Sequence, residues 1–173
     1  MAIASPVLPD MSWETVRRCD RRAFLLRSDP DVVDSFLYCF AYCAEKHGIL
    51  LHALVQMENH YHDLFTDPRG RRNEFKWELN QMIAHCVKAL RGDKNGAMEG
   101  PVWDPNESYA RLWMESDEAF IESASYLIAN PVAAGLVKRP EDWRGFVSRP
   151  EICSAAQSRS RDLSVCRIPI PKL

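Results

Sequence analysis

Two runs of strand length, Ile49–Met57 and His60–Thr66, are separated by nothing more than the polar pair Glu58-Asn59. A connection this short leaves the second run one way to go, back along the first, so the pair predicts an antiparallel β-hairpin. The turn residues Asp67-Pro68-Arg69-Gly70 close it. The hairpin lies between two amphipathic helices. Asp29-Pro30 is a helix start, followed by Val32, Val33, Phe36, Leu37, Phe40, Ala41 and Ala44 at helical spacing and a stop at Gly48. Asn73 to Leu90 carries a second stripe of Phe75, Leu79, Met82, Ile83, Cys86, Val87 and Leu90, ended by Gly92. Residues 13–26 read as extended, with a polar turn at Cys19-Asp20-Arg21. Residues 93–108 read as loop, and Tyr109–Met114 as a further strand. Ser116 caps a third helix with Ala119, Phe120, Ala124, Leu127 and Ile128 apolar, and Asn130-Pro131 opens a short helix through Val137. Strands adjacent in sequence, with helices between the others, predict an α+β class. The simplest arrangement is a ferredoxin-like antiparallel sheet with helices packed on it.

Length and composition bound the rest. With 173 residues, 46% hydrophobic and 27% charged, the chain has the proportions of one soluble globular domain. That domain is expected over residues 1–145. Residues 146–173 hold few large apolar side chains and no periodicity, and are expected to be a disordered tail. No run approaches the ~18 apolar residues of a membrane span, and the first residues lack a basic-then-apolar signal pattern. The six cysteines form no C-x-x-C pair, which suits buried thiols in a cytoplasmic protein. The net charge of −2 argues against a strongly basic nucleic-acid binder, but the charges are segregated. Residues 17–27 hold five arginines against Asp20, and residues 69–76 add Arg69, Arg71, Arg72 and Lys76 against Glu74. Residues 93–122 hold eight acids against Lys94 and Arg111. Such basic patches attract phosphates locally, and they are equally what a solvated surface looks like.

Asn59-His60-Tyr61-His62 is where chemistry concentrates. On a strand, residues i and i+2 share a face, so His60 and His62 project side by side and both imidazoles can reach one divalent cation. The same pair also fits two ordinary half-buried histidines. His47, His52 and His85 stand alone and read as structural. No H-E-x-x-H or C-x-x-C partner exists, and Leu64 stands where an H-x-H-x-H hydrolase would need a third histidine. Tyr126 and Asn130 are four apart on one helix face. Were that face to meet the histidine strand, the Asn130 oxygen would complete a metal shell with the Tyr126 hydroxyl beside it. The alternatives are a Tyr126 ring packed on the sheet and an Asn130 that caps the Pro131 helix.

Taken together, these segments resemble the REP-associated tyrosine transposases, a branch of the single-tyrosine HUH transposase superfamily. The resemblance runs from about Trp13 to Trp143. It rests on RRCDRRAFLL, HGILLHALVQMENHYHDLFTDPRGR, the helix ending KALRG, and YLIANPVAAGLVKRPEDW. The N-H-hydrophobic-H strand followed about 65 residues later by a Y-x-x-x-N-P-x-x-x-G-L-V helix is its specific part. The resemblance implies an HUH transposase-like catalytic domain that cuts and rejoins single-stranded or hairpin DNA. His60, His62 and Asn130 would bind Mg²⁺ or Mn²⁺, and Tyr126, working with the two histidines, would attack the scissile phosphate to leave a 5′-phosphotyrosine and a 3′-OH. DNA phosphates would meet Arg18, Arg21 and Arg22, and secondarily Arg69, Arg71 and Arg72. Asp63, where many relatives are apolar, is expected to face away from the metal. A monomer is expected over a homodimer. The rival reading is a catalytically inactive repeat-DNA-binding protein of the same fold; a phosphodiesterase using water, with a structural Tyr126, is a third.

Overall fold

The computed structural model describes residues 8–93, 96–113 and 117–148. Its elements run β1 (Met11–Cys19), α1 (Pro30–His47), β2 (Leu50–Gln56), β3 (His60–Asp67), α2 (Arg72–Arg91), β4 (Trp103–Trp113), α3 (Asp117–Ile128) and α4 (Asn130–Ala133). The four strands form one antiparallel sheet in the order β2-β3-β1-β4. This is the split β-α-β of the ferredoxin-like arrangement, as the element order predicts.

The alternation of β3 divides the molecule into two layers of core. Tyr61 and Phe65 point to one face, where they join Trp13, Phe36, Phe40, Phe75, Leu79 and Ile83 beneath α1 and α2. Leu64 points to the other and joins Ala53, Val55, Met57 and Leu127 beneath α3. His60 and His62, in phase with Leu64, therefore emerge on the α3 face. α1 starts at Pro30 behind Asp29 and ends where Gly48 takes the left-handed conformation (φ 71°). Cys19, Cys39 and Cys43 are buried thiols and Cys86 is half-buried, in keeping with their apolar patterns.

Four boundaries differ from the sequence reading. β1 stops at Cys19; Asp20–Arg22 form a 3₁₀ turn, and Leu26 is tied through its N–H to the Glu58 carbonyl (2.8 Å) instead of continuing a strand. β4 begins at Trp103, inside the expected loop, because β1 pairs with it from Ser12↔Trp113 to Arg17↔Ser108 and again at Cys19↔Trp103, and the intervening residues, Asp104-Pro105-Asn106 among them, form an irregularity between these two stretches. α4 ends at Ala133, before a left-handed Gly135, rather than at Val137. Finally, the first residues assigned to the tail are packed. Gln56 N–H donates to the Phe146 carbonyl (2.8 Å), Ser148 N–H to the Leu54 carbonyl (2.9 Å), and Val147 is buried beside Val55. Edge strand β2 has unpaired backbone groups that this segment satisfies. Met114, the Ser116 cap and residues 149–173 lie outside the described residues.

Beneath α2 the sheet buries a charge. Asp63, fully buried, accepts from Lys76 Nζ (2.9 Å) and from the Thr15 hydroxyl, and Lys76 also donates to Thr15 Oγ1 (2.8 Å) and Tyr61 Oη (3.1 Å). Asp63 thus faces away from the histidines, as expected. Burial pulls the Lys76 ammonium below its usual range, and the Asp63 charge opposes that shift. Removing one partner strands the other, so Lys76→Met should cost about 3–5 kcal/mol in urea unfolding, and Asp63→Leu with Lys76→Met should recover much of that loss. A single-variant cost under about 1 kcal/mol would show the pair to be solvated.

Candidate nucleic-acid cleavage site

The two imidazoles stand 5.0 Å apart between ring centroids, at an interplanar angle of 68°, on the sheet face covered by α3. Their position follows from register: His62 lies between Val55 of β2 and Val16 of β1, and His60 opposite Arg18. Burial pushes His62 down to about 3, helped by His60 and Arg18. Burial likewise pushes His60 down to about 4, with the charges of Arg18 and Arg22 adding to it. Both rings are therefore neutral at pH 7, the form that donates a lone pair to a metal. His60 Nδ1 is engaged with Asn59 Oδ1 at 2.6 Å, which leaves Nε2 as its outward nitrogen.

α3 crosses this face at a height set by two contacts. The Phe120 ring meets His52 edge-on at 5.0 Å, near the Thr66 end of β3. One turn later, Ser123 Oγ donates to Glu14 Oε2 (3.0 Å), opposite Leu64. The helix thus advances from the Thr66 end of β3 towards the histidine end at ~1.5 Å per residue. Tyr126 is the next position on the Ser123 side, and Asn130 follows one turn further. Tyr126 is 66% exposed, so its ring is not packed on the sheet. Asn130 is not a cap either: Ala129 takes the N-cap position, and Asn130 is the first helical residue. Its Nδ2, a hydrogen-bond donor, is buried without a partner. Both bland alternatives for this helix face are thereby removed.

Among the described residues, no three His, Cys, Asp or Glu side chains converge to hold a metal ion. The pair of imidazoles needs an oxygen of another kind, and the Asn130 amide is such an oxygen. Two neutral imidazoles side by side on one strand face fit a divalent cation by their chemistry.

The arginines divide into two sets. Arg18 lies beside His60, and Arg21 and Arg22 occupy the 3₁₀ turn at the same end, exposed and both left-handed (φ 50° and 55°). Non-glycine residues in that region carry strain of order 1–3 kcal/mol each, held here by surrounding hydrogen bonds. Phe24, two residues past the turn, is 60% exposed; the sequence reading did not single it out, although an aromatic so close to paired arginines was a visible signal. Arg69, Arg71 and Arg72 stand at the other end of β3, seven residue steps or about 23 Å from His60. Arg72 is a correction: its guanidinium stacks over Trp13 (3.8 Å) on the α1/α2 face, with Nε buried, so it is part of the core wall. Arg69 lies across Gly48, and Arg71 lines a cleft of about 560 Å³ with Trp77 and Glu78.

Neither a protein-family model nor a curated protein matches this chain. Among solved structures, it is similar to the REP-associated tyrosine transposase bound to a REP hairpin, at a TM-score of 0.68 and 16% identity over 100% of this chain and 94% of that one. The fold is that of a tyrosine transposase. A proposed transposase from Deinococcus radiodurans gives a TM-score of 0.47 at 17% identity, over 73% of this chain and 95% of that one. The resemblance read from the sequence thus holds at the level of the transposase fold. No helix among the described residues is long and apolar enough to cross a membrane.

The buried imidazoles make stability pH-dependent. His52, bonded to Thr66 Oγ1 (2.7 Å), is also pushed by burial to about 4. Between pH 6.5 and 4 the unfolded chain binds protons at these rings and the folded chain does not, so unfolding free energy falls as pH falls. The urea midpoint should therefore drop from pH 7 to pH 5, and His52→Gln should flatten part of that slope. A midpoint independent of pH across this window would mean that the rings are solvated.

Proposed function

We propose that this chain is a metal-assisted, transposase-type enzyme that nicks and rejoins single-stranded DNA beside hairpin-forming repeats. The reading is carried by two neutral imidazoles standing side by side on the sheet face that α3 crosses, with an exposed phenol at Tyr126 further along that helix. The similarity in fold to a hairpin-bound tyrosine transposase supports it.

In this reading His60, His62 and Asn130 hold Mg²⁺ or Mn²⁺, which when bound supplies positive charge to the non-bridging oxygens of the scissile phosphate. Tyr126 supplies the nucleophile. Its Oη forms a bond to phosphorus as the bond to the 3′ oxygen breaks, giving a 5′-phosphotyrosine and a 3′-OH, the proton lost by the phenol balancing the one gained by the departing oxygen. Because the ester conserves the energy of the broken bond, attack by a 3′-OH reverses the step on a new strand without ATP. An exposed tyrosine suits this role, since the phenol has to meet a phosphate arriving from solvent. Arg18, Arg21 and Arg22 approach the strand's phosphates at the same end of the sheet. Arg69 and Arg71, about 23 Å away along β3, would meet a different part of a bound hairpin.

With a labelled hairpin oligonucleotide and Mn²⁺, a covalent protein–DNA band should form and vanish in Tyr126→Phe. Cleavage that survives Tyr126→Phe would favour attack by water, and tight binding without any cleavage would favour a recognition protein. His60→Ala with His62→Ala should bring cleavage to background while hairpin affinity stays within about threefold, or ~0.7 kcal/mol. Arg21→Glu with Arg22→Glu should weaken binding and lower the salt slope by about 0.7 per lost phosphate contact. An unchanged slope would move the DNA path elsewhere.

A further inference from the structure

The amide of Asn59 stands between two parts of the site that the sequence leaves unconnected. Its Nδ2 donates to the backbone carbonyl of Arg22 at 3.3 Å, and its Oδ1 lies 2.6 Å from His60 Nδ1. These two contacts determine one another. A backbone carbonyl can accept and cannot donate, so the NH₂ end of the amide must face Arg22 and the oxygen must face the imidazole. An amide oxygen is an acceptor, so His60 Nδ1 must carry the proton. The tautomer follows without any reference to a ligand: Nδ1–H inward, the Nε2 lone pair outward.

The backbone around Asn59 holds this geometry in place. Its carbonyl accepts from Cys19 N–H (2.8 Å), and the His60 carbonyl accepts from Met57 N–H across the hairpin turn (2.9 Å). On the opposite side, the Arg22 carbonyl belongs to the strained turn with two left-handed residues. The Asn59 side chain is one of the ties that fix that turn to the start of β3.

We infer that Asn59 is a positioning residue: it sets the tautomer of His60 so that Nε2 faces the cation, and it couples the arginine turn to that imidazole. The inference rests on the proposed role of His60 as a metal ligand, although the tautomer stands apart from it. A strand that displaces the Arg21-Arg22 turn moves the carbonyl that orients the amide, and through it the imidazole. Hydrogen-bonded partners of metal-bound histidines commonly contribute 10–100-fold in affinity, and here that partner is shared with the DNA-facing turn.

The test uses ¹⁵N shifts of the His60 ring in the full-length, metal-free protein at pH 7, together with Mn²⁺ titration by calorimetry. Wild type should show the Nδ1–H tautomer. Asn59→Leu should move His60 towards the Nε2–H form and weaken Mn²⁺ binding about 10–100-fold, with the ¹H–¹⁵N spectrum of the rest of the protein retained. Asn59→Asp keeps the acceptor for Nδ1–H and loses the donor to Arg22, so it should preserve the tautomer and most of the Mn²⁺ affinity while broadening the amide signals of residues 20–24. A wild-type Nε2–H tautomer, or a tautomer unmoved in Asn59→Leu, overturns the assignment. Should wild type bind no Mn²⁺ while the tautomer responds as expected, the metal reading fails and the orienting role of Asn59 stands.

Discussion

The structure depends on β3 being held on both sides. Paired with β1 from Arg18↔His60 to Met11↔Asp67 and with β2 from Gln56↔Tyr61 to Leu50↔Thr66, it cannot slip by one residue without exchanging its two faces. One face carries Tyr61, Asp63, Phe65 and Asp67 into the helical layer, and the other carries His60, His62, Leu64 and Thr66 beneath α3. A slip would put two imidazoles into a packed aromatic core and a carboxylate under α3. The proposed chemistry thus sits on a strand whose register is enforced by what lies on its back.

That back is unusually polar. Lys76, Asp63, Thr15 and Tyr61 form a closed set of hydrogen bonds, extended by Tyr61 Oη donating to Asn80 Oδ1 (2.8 Å) and Trp103 Nε1 donating to the Asn80 carbonyl (2.8 Å). Residues of β1, β3, β4 and α2 thereby meet at Tyr61, the residue between the two histidines. A fully apolar core would tolerate small shifts of α2 over the sheet. A buried ion pair with directional partners tolerates them poorly, and this keeps the backbone between the imidazoles in one place.

Much of this was legible in the sequence because the signals were local. The hairpin, α1, α2 and the pairing of His60 with His62 follow from period and turn chemistry within short windows, and the ferredoxin-like sheet follows from their order. The misread parts depend on distant partners. β4 starts at Trp103 because β1 is there to pair with it, and Phe146–Ser148 pack because the edge of β2 is open; neither reason is written in the residues concerned. Arg72 looks like any helix-start arginine until Trp13, 59 positions earlier, is folded beneath it. The pairing of the histidine strand with the Tyr126 helix was visible as a family pattern, and the contacts of Phe120 with His52 and of Ser123 with Glu14 lay that helix over the histidine-bearing face of the sheet. The tie between Asn59 and Arg22 was not legible, because it runs through a backbone carbonyl in a turn whose left-handed arginines no propensity anticipates.

The central claim is convergence: two imidazoles, an amide and a phenol around one cation. Anomalous diffraction from crystals grown with Mn²⁺ and a hairpin oligonucleotide tests it most directly. The account predicts one peak bonded to His60 Nε2 and the His62 ring, with the Asn130 amide oxygen in its shell and Tyr126 Oη across a bound phosphate from it. A peak seated elsewhere, or a Tyr126 hydroxyl turned away from the phosphate that the metal holds, would contradict it.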